Sequence, residues 1–264
     1  MPPSYSQGHH SFLPSSTAAL EELEECTGRP VMIVEDPSLN VLATISRAGP
    51  GQGSHILRIK EGSGAIPDYL IAFECRMALR DEPDESGQRL VLADRPLAKE
   101  SVIGEVERLH SNLPTAKAQE LGSFMVNGLL VQLRSMGPGL QVDGWIREHC
   151  PDLREAQEEF ISEQINSNLG ALQAGSRANF PARVYDASIA MNAAYAVFGG
   201  DLLGKPHLGV PYSSAGHGPI ARRLISIALR MGPEGKGASD RQIIDGWARE
   251  LGLEGWYDWK PVAV

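Results

Sequence analysis

Apolar residues follow two different spacings along the chain, and the spacing changes near residue 66. Before that point they stand in short runs bounded by turns rich in Gly, Pro, Asp and Ser, a pattern typical of β-strands. A short helix over Thr17–Cys26, closed by Gly28, is predicted ahead of the first run. The three predicted strands are Val31–Val34, Val41–Ile45 and His55–Ile59.

From Ile66 onward the apolar side chains recur at intervals of three and four residues, which is the spacing of a helix with one buried face. The first such stretch, Ile66–Arg80, has Pro67 and Asp68 where a helix start favours proline and negative charge. The Gly137-Pro138-Gly139 triplet is expected to end a later helix. Further helices are predicted over Val102–Leu109, Thr115–Met136, Val142–His149, Asp152–Leu172, Pro181–Leu203, Pro219–Met231 and Ser239–Gly252.

These patterns predict an α+β fold in which a small helix–strands–helix module is followed by a predominantly α-helical region. Residues 1–16 show no periodicity and are expected to form a flexible leader. We expect the α+β module to span residues 17–95, and the helical region packed on it to span residues 96–264. An aromatic terminus is expected to cover the helical core as a lid, and its residues are Trp247, Trp256, Tyr257 and Trp259.

Composition narrows the function classes. Apolar residues make up 42% of the chain and charged residues 22%, as in ordinary globular proteins. The net charge of −9 argues against a broad nucleic-acid footprint. Cys26, Cys75 and Cys150 form no C-x-x-C pair, so neither a disulfide framework nor a thiolate zinc site is expected. Without a secretory signal pattern or an apolar run of ~18 residues, we expect a cytoplasmic protein that makes no membrane contact.

The helix Ile66–Arg80 stands where the order helix, strands, helix places the metal-binding helix of a zincin-type peptidase. That helix carries H-E-x-x-H, because residues four apart lie on one helix face and both histidines can bind one zinc ion. The five residues here are Phe73-Glu74-Cys75-Arg76-Met77. In order and spacing, residues 18–80 resemble the ImmA/IrrE-like (M78-type) metallopeptidases.

The resemblance implies that Glu74 stands at the position of the family's catalytic glutamate, and that Phe73 and Met77 occupy the two histidine positions. A phenyl ring cannot bind zinc, and a thioether is a poor zinc ligand. We therefore expect no metal and no cofactor, with apolar side chains filling the former site. The leading hypothesis is a degenerate, non-catalytic pseudo-metallopeptidase of the bacterial cytoplasm that acts as a binding or regulatory protein. The alternative is a core helix without this ancestry.

Two further functions stay open. In the first, the protein is a hydrolase in which Glu74 acts with an unconventional metal site, or with the Cys75 thiol and a distant histidine. In the second, it is a helical scaffold that assembles with a protein partner or with itself through the Trp-rich end. The histidines weaken the first alternative because none is paired at ligand spacing on a helix; they include His55, His110, His149, His207 and His217.

The segment Val210–Pro219, VPYSSAGHGP, is a candidate ligand loop ahead of a helix. The backbone N–H groups of residues 215–218 are expected to face an anion at the helix N-terminus. An ordinary interhelical loop is the alternative interpretation. The side chains proposed to bind a ligand there are Ser213, Ser214, His217 and Arg222.

Overall fold

The computed structural model describes residues 12–39, 41–49, 51–60, 66–81, 89–173, 175–232 and 237–262. The strands are β1 (Val31–Glu35), β2 (Ala43–Ser46), β3 (His55–Ile59), β4 (Arg89–Asp94) and β5 (Tyr257–Val262). The helices are α1 (Pro14–Thr27), α2 (Ile66–Arg80), α3 (Pro96–Leu109), α4 (Thr115–His149), α5 (Arg154–Asn168), α6 (Ala182–Leu202), α7 (Val210–Ser214), α8 (Gly218–Leu229) and α9 (Gly237–Leu251). The predicted α+β, mostly helical fold is confirmed.

The three predicted strands form one sheet in the order β1-β3-β2. β1 runs parallel to β3, and β2 runs antiparallel to β3, so that β2 lies at an edge of this sheet. α1 and α2 contact each other and pack with the sheet around a core that includes Leu23, Leu57 and Ile71. All three of these side chains are fully buried.

Part of the predicted leader belongs to α1. Residues 1–11 lie outside the described residues, but Pro14–Ser16 form the first turn of the helix. The acidic segment at 81–87, which the sequence predicts to be a solvated surface loop, also lies mostly outside the described residues. Ser16 is fully buried and its hydroxyl donates to the Asp68 carbonyl at 2.9 Å. Ser15 bonds to the carboxylate of Asp152. These contacts with distant residues explain why the helix begins earlier than local patterning indicates.

The predicted break at Gly137-Pro138-Gly139 is wrong, because α4 runs through it as one helix of 35 residues. The two glycines serve close packing instead. A Cβ atom at Gly137 would lie 2.7 Å from Ile243 Cγ2 of α9, and one at Gly139 would lie 3.3 Å from Phe73 Cζ of α2. Pro138 cannot donate a backbone hydrogen bond within the helix, but packing on both sides of it outweighs that loss.

β4 and β5 form an antiparallel pair that the apolar pattern does not predict. Their register runs from Arg89 opposite Val262 to Asp94 opposite Tyr257. Trp256 and Trp259 pack against the helical core, as expected of the aromatic terminus. The pairing also connects a strand of the predicted 17–95 module to the C-terminal end, while the boundary at residue 95 stays a prediction.

Two hydrophobic cores share α4. Its middle contributes Leu129, Leu133 and Leu140 to the larger helical core, whereas Val142 and Ile146 near its end belong to the core of the sheet. α4 therefore connects the two halves of the structure. None of the helices in the described ranges combines the length and the apolar content needed to cross a membrane.

Gly137→Ala is expected to lower the free energy of unfolding by about 1–3 kcal/mol, because the new methyl group would force α9 away from α4. Gly128→Ala is the matched control in the same helix, since a Cβ there meets nothing within 4 Å. Alanine at that exposed position should stabilise the helix by up to about 1 kcal/mol. Urea denaturation of both variants measures the contrast, and equal effects would contradict the packing role of Gly137.

Candidate functional site

Phe73, Glu74 and Met77 line one open cleft of about 320 Å³. They form the α2 wall of this cleft. The facing walls come from β2, from α4 at Val131–Pro138, from α9 and from the β4–β5 pair. The residues predicted from the H-E-x-x-H comparison therefore share a single accessible site.

The outer edge of β2 forms one side of the cleft. In an antiparallel pair, successive residues point their backbone groups alternately toward and away from the partner strand. The backbone N–H of Lys60 donates to the Leu42 carbonyl at 2.8 Å, so the backbone groups of Leu42 face the partner strand. The backbone groups of Ala43 and Ile45 therefore face away from the sheet. Both residues line the cleft.

Glu74 occupies this edge. Its carboxylate accepts the backbone N–H of Ile45 at 3.1 Å. Burial raises the pKa of Glu74 to about 7, although the Ile45 N–H and the charge of Arg134 both act in the opposite direction. Because this pKa lies near neutrality, Glu74 can exchange a proton at neutral pH.

Phe73 and Met77 present apolar surface to the cleft. The Phe73 ring lies between α2 and α4, with its centroid 5.9 Å from that of Tyr69. Both side chains are half-buried and pack against the core of the sheet. Within the described ranges, no group of three or more His, Cys, Asp or Glu side chains is arranged to hold a metal ion.

Charged side chains surround Glu74, and sequence analysis did not identify them as a group. Among the described residues, five arginines and three carboxylates line the cleft, and they come from the residues around β2, α2, β4, α4 and α9. No linear motif connects them. The arginines are Arg47, Arg80, Arg89, Arg134 and Arg241, and the carboxylates are Glu74, Asp81 and Asp240.

Most of these arginines are held by the protein. Arg80 forms a buried ion pair with Asp240 and also bonds to Gln141. Arg89 pairs with Asp81 at 2.7 Å. Arg47 donates to two backbone carbonyls at the end of α2, at 3.0 and 2.6 Å.

The other residues considered for metal or thiol chemistry do not line the cleft. His55 is 1% exposed; its Nδ1 accepts the Ala48 N–H at 3.0 Å, and its Nε2 lies 2.9 Å from the Thr27 hydroxyl. This pattern fits a neutral structural histidine, and burial lowers its pKa. Burial also raises the pKa of the Cys75 thiol to about 12, so the thiol stays protonated at neutral pH and is a poor nucleophile.

The predicted ligand loop is largely helical. Val210–Ser214 form α7, and α8 begins at Gly218. The N–H groups of Ala215, Gly216 and His217 all donate to carbonyls of residues 211–213 at 3.0–3.1 Å, so they do not face an anion as expected. The segment instead closes α7 in the manner of a helix C-terminus, with Gly216 at φ 90°.

The candidate side chains of this segment remain accessible. Ser213, Ser214 and Arg222 are exposed, and His217 is half-buried with a pKa lowered by burial. A Cβ at Gly218 would lie 3.3 Å from Ser213 Oγ and 3.5 Å from Arg222 Nη1, so these two side chains flank the same glycine. Their role in ligand binding stays a prediction.

Comparison of the chain with protein-family models, with curated proteins and with solved structures finds no match. A relationship to the ImmA/IrrE-like peptidases therefore stays a prediction, based on the order of elements and on the positions of Phe73, Glu74 and Met77 in the sequence.

Glu74→Gln tests the protonation state of this site through stability. A folded-state pKa raised from 4.5 to about 7 means that the folded protein holds a proton that the unfolded chain releases. The stability that this proton contributes to the folded state is fully present below pH 4.5 and is lost as the pH rises through 7. The stability of the wild type relative to Glu74→Gln should therefore fall by about 1–3 kcal/mol between pH 5 and pH 8.

Urea denaturation of both proteins at the two pH values measures this difference. Burial also raises the pKa of Asp143 to about 7, but Asp143 titrates in both proteins, so its contribution cancels. A difference that does not change with pH would show that Glu74 titrates in its ordinary range.

Proposed function

We propose that this protein is a non-catalytic binding module descended from an ImmA/IrrE-like peptidase, and that it binds an extended polypeptide segment in the cleft beside α2. The observation that carries the proposal is the position of Phe73, Glu74 and Met77 along one cleft whose other side is the outer edge of β2. The bacterial, cytoplasmic setting expected from the sequence belongs to the same proposal.

The edge of β2 supports the choice of ligand. An edge strand offers backbone N–H and C=O groups that an extended peptide can pair with, while pockets along the strand select its side chains. The cleft runs beside this edge and has apolar surface on its opposite walls, including Val131, Ile244 and Trp259. Backbone pairing would supply affinity, and these walls would supply contacts for alternate side chains.

The chemistry at positions 73 and 77 supports a non-catalytic role. Phe73 and Met77 offer no nitrogen, oxygen or thiolate ligands, so the helix cannot hold zinc as a zincin helix does. The ring of Phe73 also fills the space beside Gly139. Glu74 then has a second use, because it satisfies the outward N–H of Ile45.

A hydrolase is the second candidate, and one observation favours it. Glu74 lines the cleft with a pKa of about 7, which suits a general base or acid at neutral pH. The Cys75 thiol does not support it, because this side chain is fully buried.

The binding proposal is tested by selecting displayed random 12-residue peptides on the full chain and measuring their affinities. Val131→Trp should weaken the selected peptides by about tenfold, because the indole ring fills part of the cleft. Phe124→Trp is the matched control, since Phe124 is an exposed apolar residue of α4 outside the cleft lining.

Three outcomes separate the candidates. Peptides that lose affinity only in Val131→Trp, and that stay intact by mass spectrometry, support the binding module. Cleavage of the peptides that disappears in Glu74→Gln would establish the hydrolase instead. If the peptides bind both tryptophan variants equally, the cleft is not their binding site.

The proposed ancestry is tested by restoring the two ligand positions. Phe73→His with Met77→His should bind Zn²⁺ at least about tenfold more tightly than a surface histidine pair, because Glu74 can hold the metal-bound water. Glu155→His with Glu159→His supplies that surface pair, at the same spacing on the exposed face of α5. Isothermal titration calorimetry measures both. Equal affinities would contradict a zincin-derived arrangement of α2.

A further inference from the structure

The described residues that line the cleft carry more arginines than carboxylates, although the chain has a net charge of −9. Its lining has five arginines and three carboxylates, and Glu74 is neutral whenever it carries its proton. An excess of one sign of charge in a cleft concentrates ligands of the opposite sign. The ligand chemistry that fits this lining is therefore anionic.

Arg134 differs from the other cations of the lining. It is exposed on α4 and forms no hydrogen bond or ion pair with another described residue. Arg80 and Arg89, by contrast, are paired with Asp240 and Asp81. An exposed guanidinium that no described side chain pairs can bind a carboxylate through two parallel hydrogen bonds.

Glu74 lies within the influence of Arg134, whose charge acts to lower the Glu74 pKa. An anion bound at Arg134 would therefore also interact with Glu74. An ionised Glu74 would repel that anion and compete for the same guanidinium. A protonated Glu74 would do neither, so the charge state of Glu74 should control the affinity of the cleft for an anion.

We propose that the polypeptide bound in the cleft is recognised through a carboxylate that pairs with Arg134, and that Glu74 must be neutral for tight binding. This inference rests on the proposed function, because it names what the bound segment carries. An acidic side chain and the C-terminal carboxylate of a chain share this chemistry.

Other charged groups face Glu74 from every side of the cleft. Arg80 and Asp81 lie at the end of α2, Arg47 follows β2, Arg89 lies on β4, and Asp240 and Arg241 lie on α9. Burial raises the pKa of Asp240, but the Arg80 guanidinium opposes that shift. No histidine is found among the described residues of the lining.

The experiment uses peptides selected on the full chain, each synthesised with its acidic residues as Glu or as Gln, and with a free or an amidated C-terminus. Arg134→Gln is expected to weaken the carboxylate-bearing peptides by about five- to tenfold. Arg108→Gln makes the same change in net charge at an exposed arginine of α3 outside the cleft, and should leave the affinity unchanged.

The pH dependence supplies the second measurement. Wild-type affinity for a carboxylate-bearing peptide should fall by about three- to tenfold from pH 5.5 to pH 8, as Glu74 loses its proton. Glu74→Gln should bind with nearly the same affinity at both values. The Gln and amidated peptides tell whether the carboxylate belongs to a side chain or to the chain terminus.

Each remaining outcome is decisive. Peptides that bind in the cleft but are indifferent to Arg134→Gln and to loss of their carboxylates would overturn this inference and leave the binding proposal intact. If the affinity falls equally in wild type and in Glu74→Gln as the pH rises, the charge of Glu74 does not control binding. The absence of any cleft-dependent peptide would overturn the proposed function itself.

Discussion

The close contact of α4 with a helix on each side is the constraint on which the rest of the structure depends. Gly137 admits Ile243 of α9, and two residues later Gly139 admits Phe73 of α2. Because α4 also contributes residues to both hydrophobic cores, these two contacts fix the sheet relative to the helical region. The cleft lies at this junction, with Pro138 in its wall.

A buried polar network reinforces the same junction. Arg80 of α2 pairs with Asp240 of α9 and with Gln141 of α4, and the Gln141 amide donates to the Ala228 carbonyl of α8 at 2.5 Å. Breaking a buried ion pair of this kind leaves an uncompensated charge, whereas the intact pair contributes little net stability. The network therefore specifies how four helices meet, and it holds the charged floor of the cleft in place.

Local patterning predicted the elements that depend on local chemistry. The strands at Val31, Val41 and His55 and the helix Ile66–Arg80 follow from apolar spacing and from a proline at the helix start, and they occur within one or two residues of their predicted positions. The continuity of α4 could not be predicted in this way, because its glycines and proline are explained only by side chains of α2 and α9. β4 and β5 are separated by more than 160 residues, so neither strand has a neighbour in sequence that reveals it.

The candidate site, too, could be predicted only in part from the sequence. The comparison with H-E-x-x-H identified Phe73, Glu74 and Met77, because a helix places residues at that spacing on one face. The arginines around them come from separate elements and become a group only in the folded chain. Likewise, the backbone donors predicted at residues 215–218 could be tested only once their carbonyl partners in α7 were known.

The protonation state of Glu74 affects both its hydrogen bond to the edge of β2 and the charge of the cleft. An ionised carboxylate forms a stronger, charge-assisted hydrogen bond with the Ile45 N–H than a protonated one does. At higher pH, Glu74 therefore both covers the edge of β2 and opposes an anionic ligand. Protonation of Glu74 weakens its hydrogen bond to Ile45 and removes its repulsion of an anion. Both changes favour binding of a segment that pairs with the backbone of β2 and contacts Arg134 through a carboxylate. Glu74 thus has a physical role at this position that requires no metal.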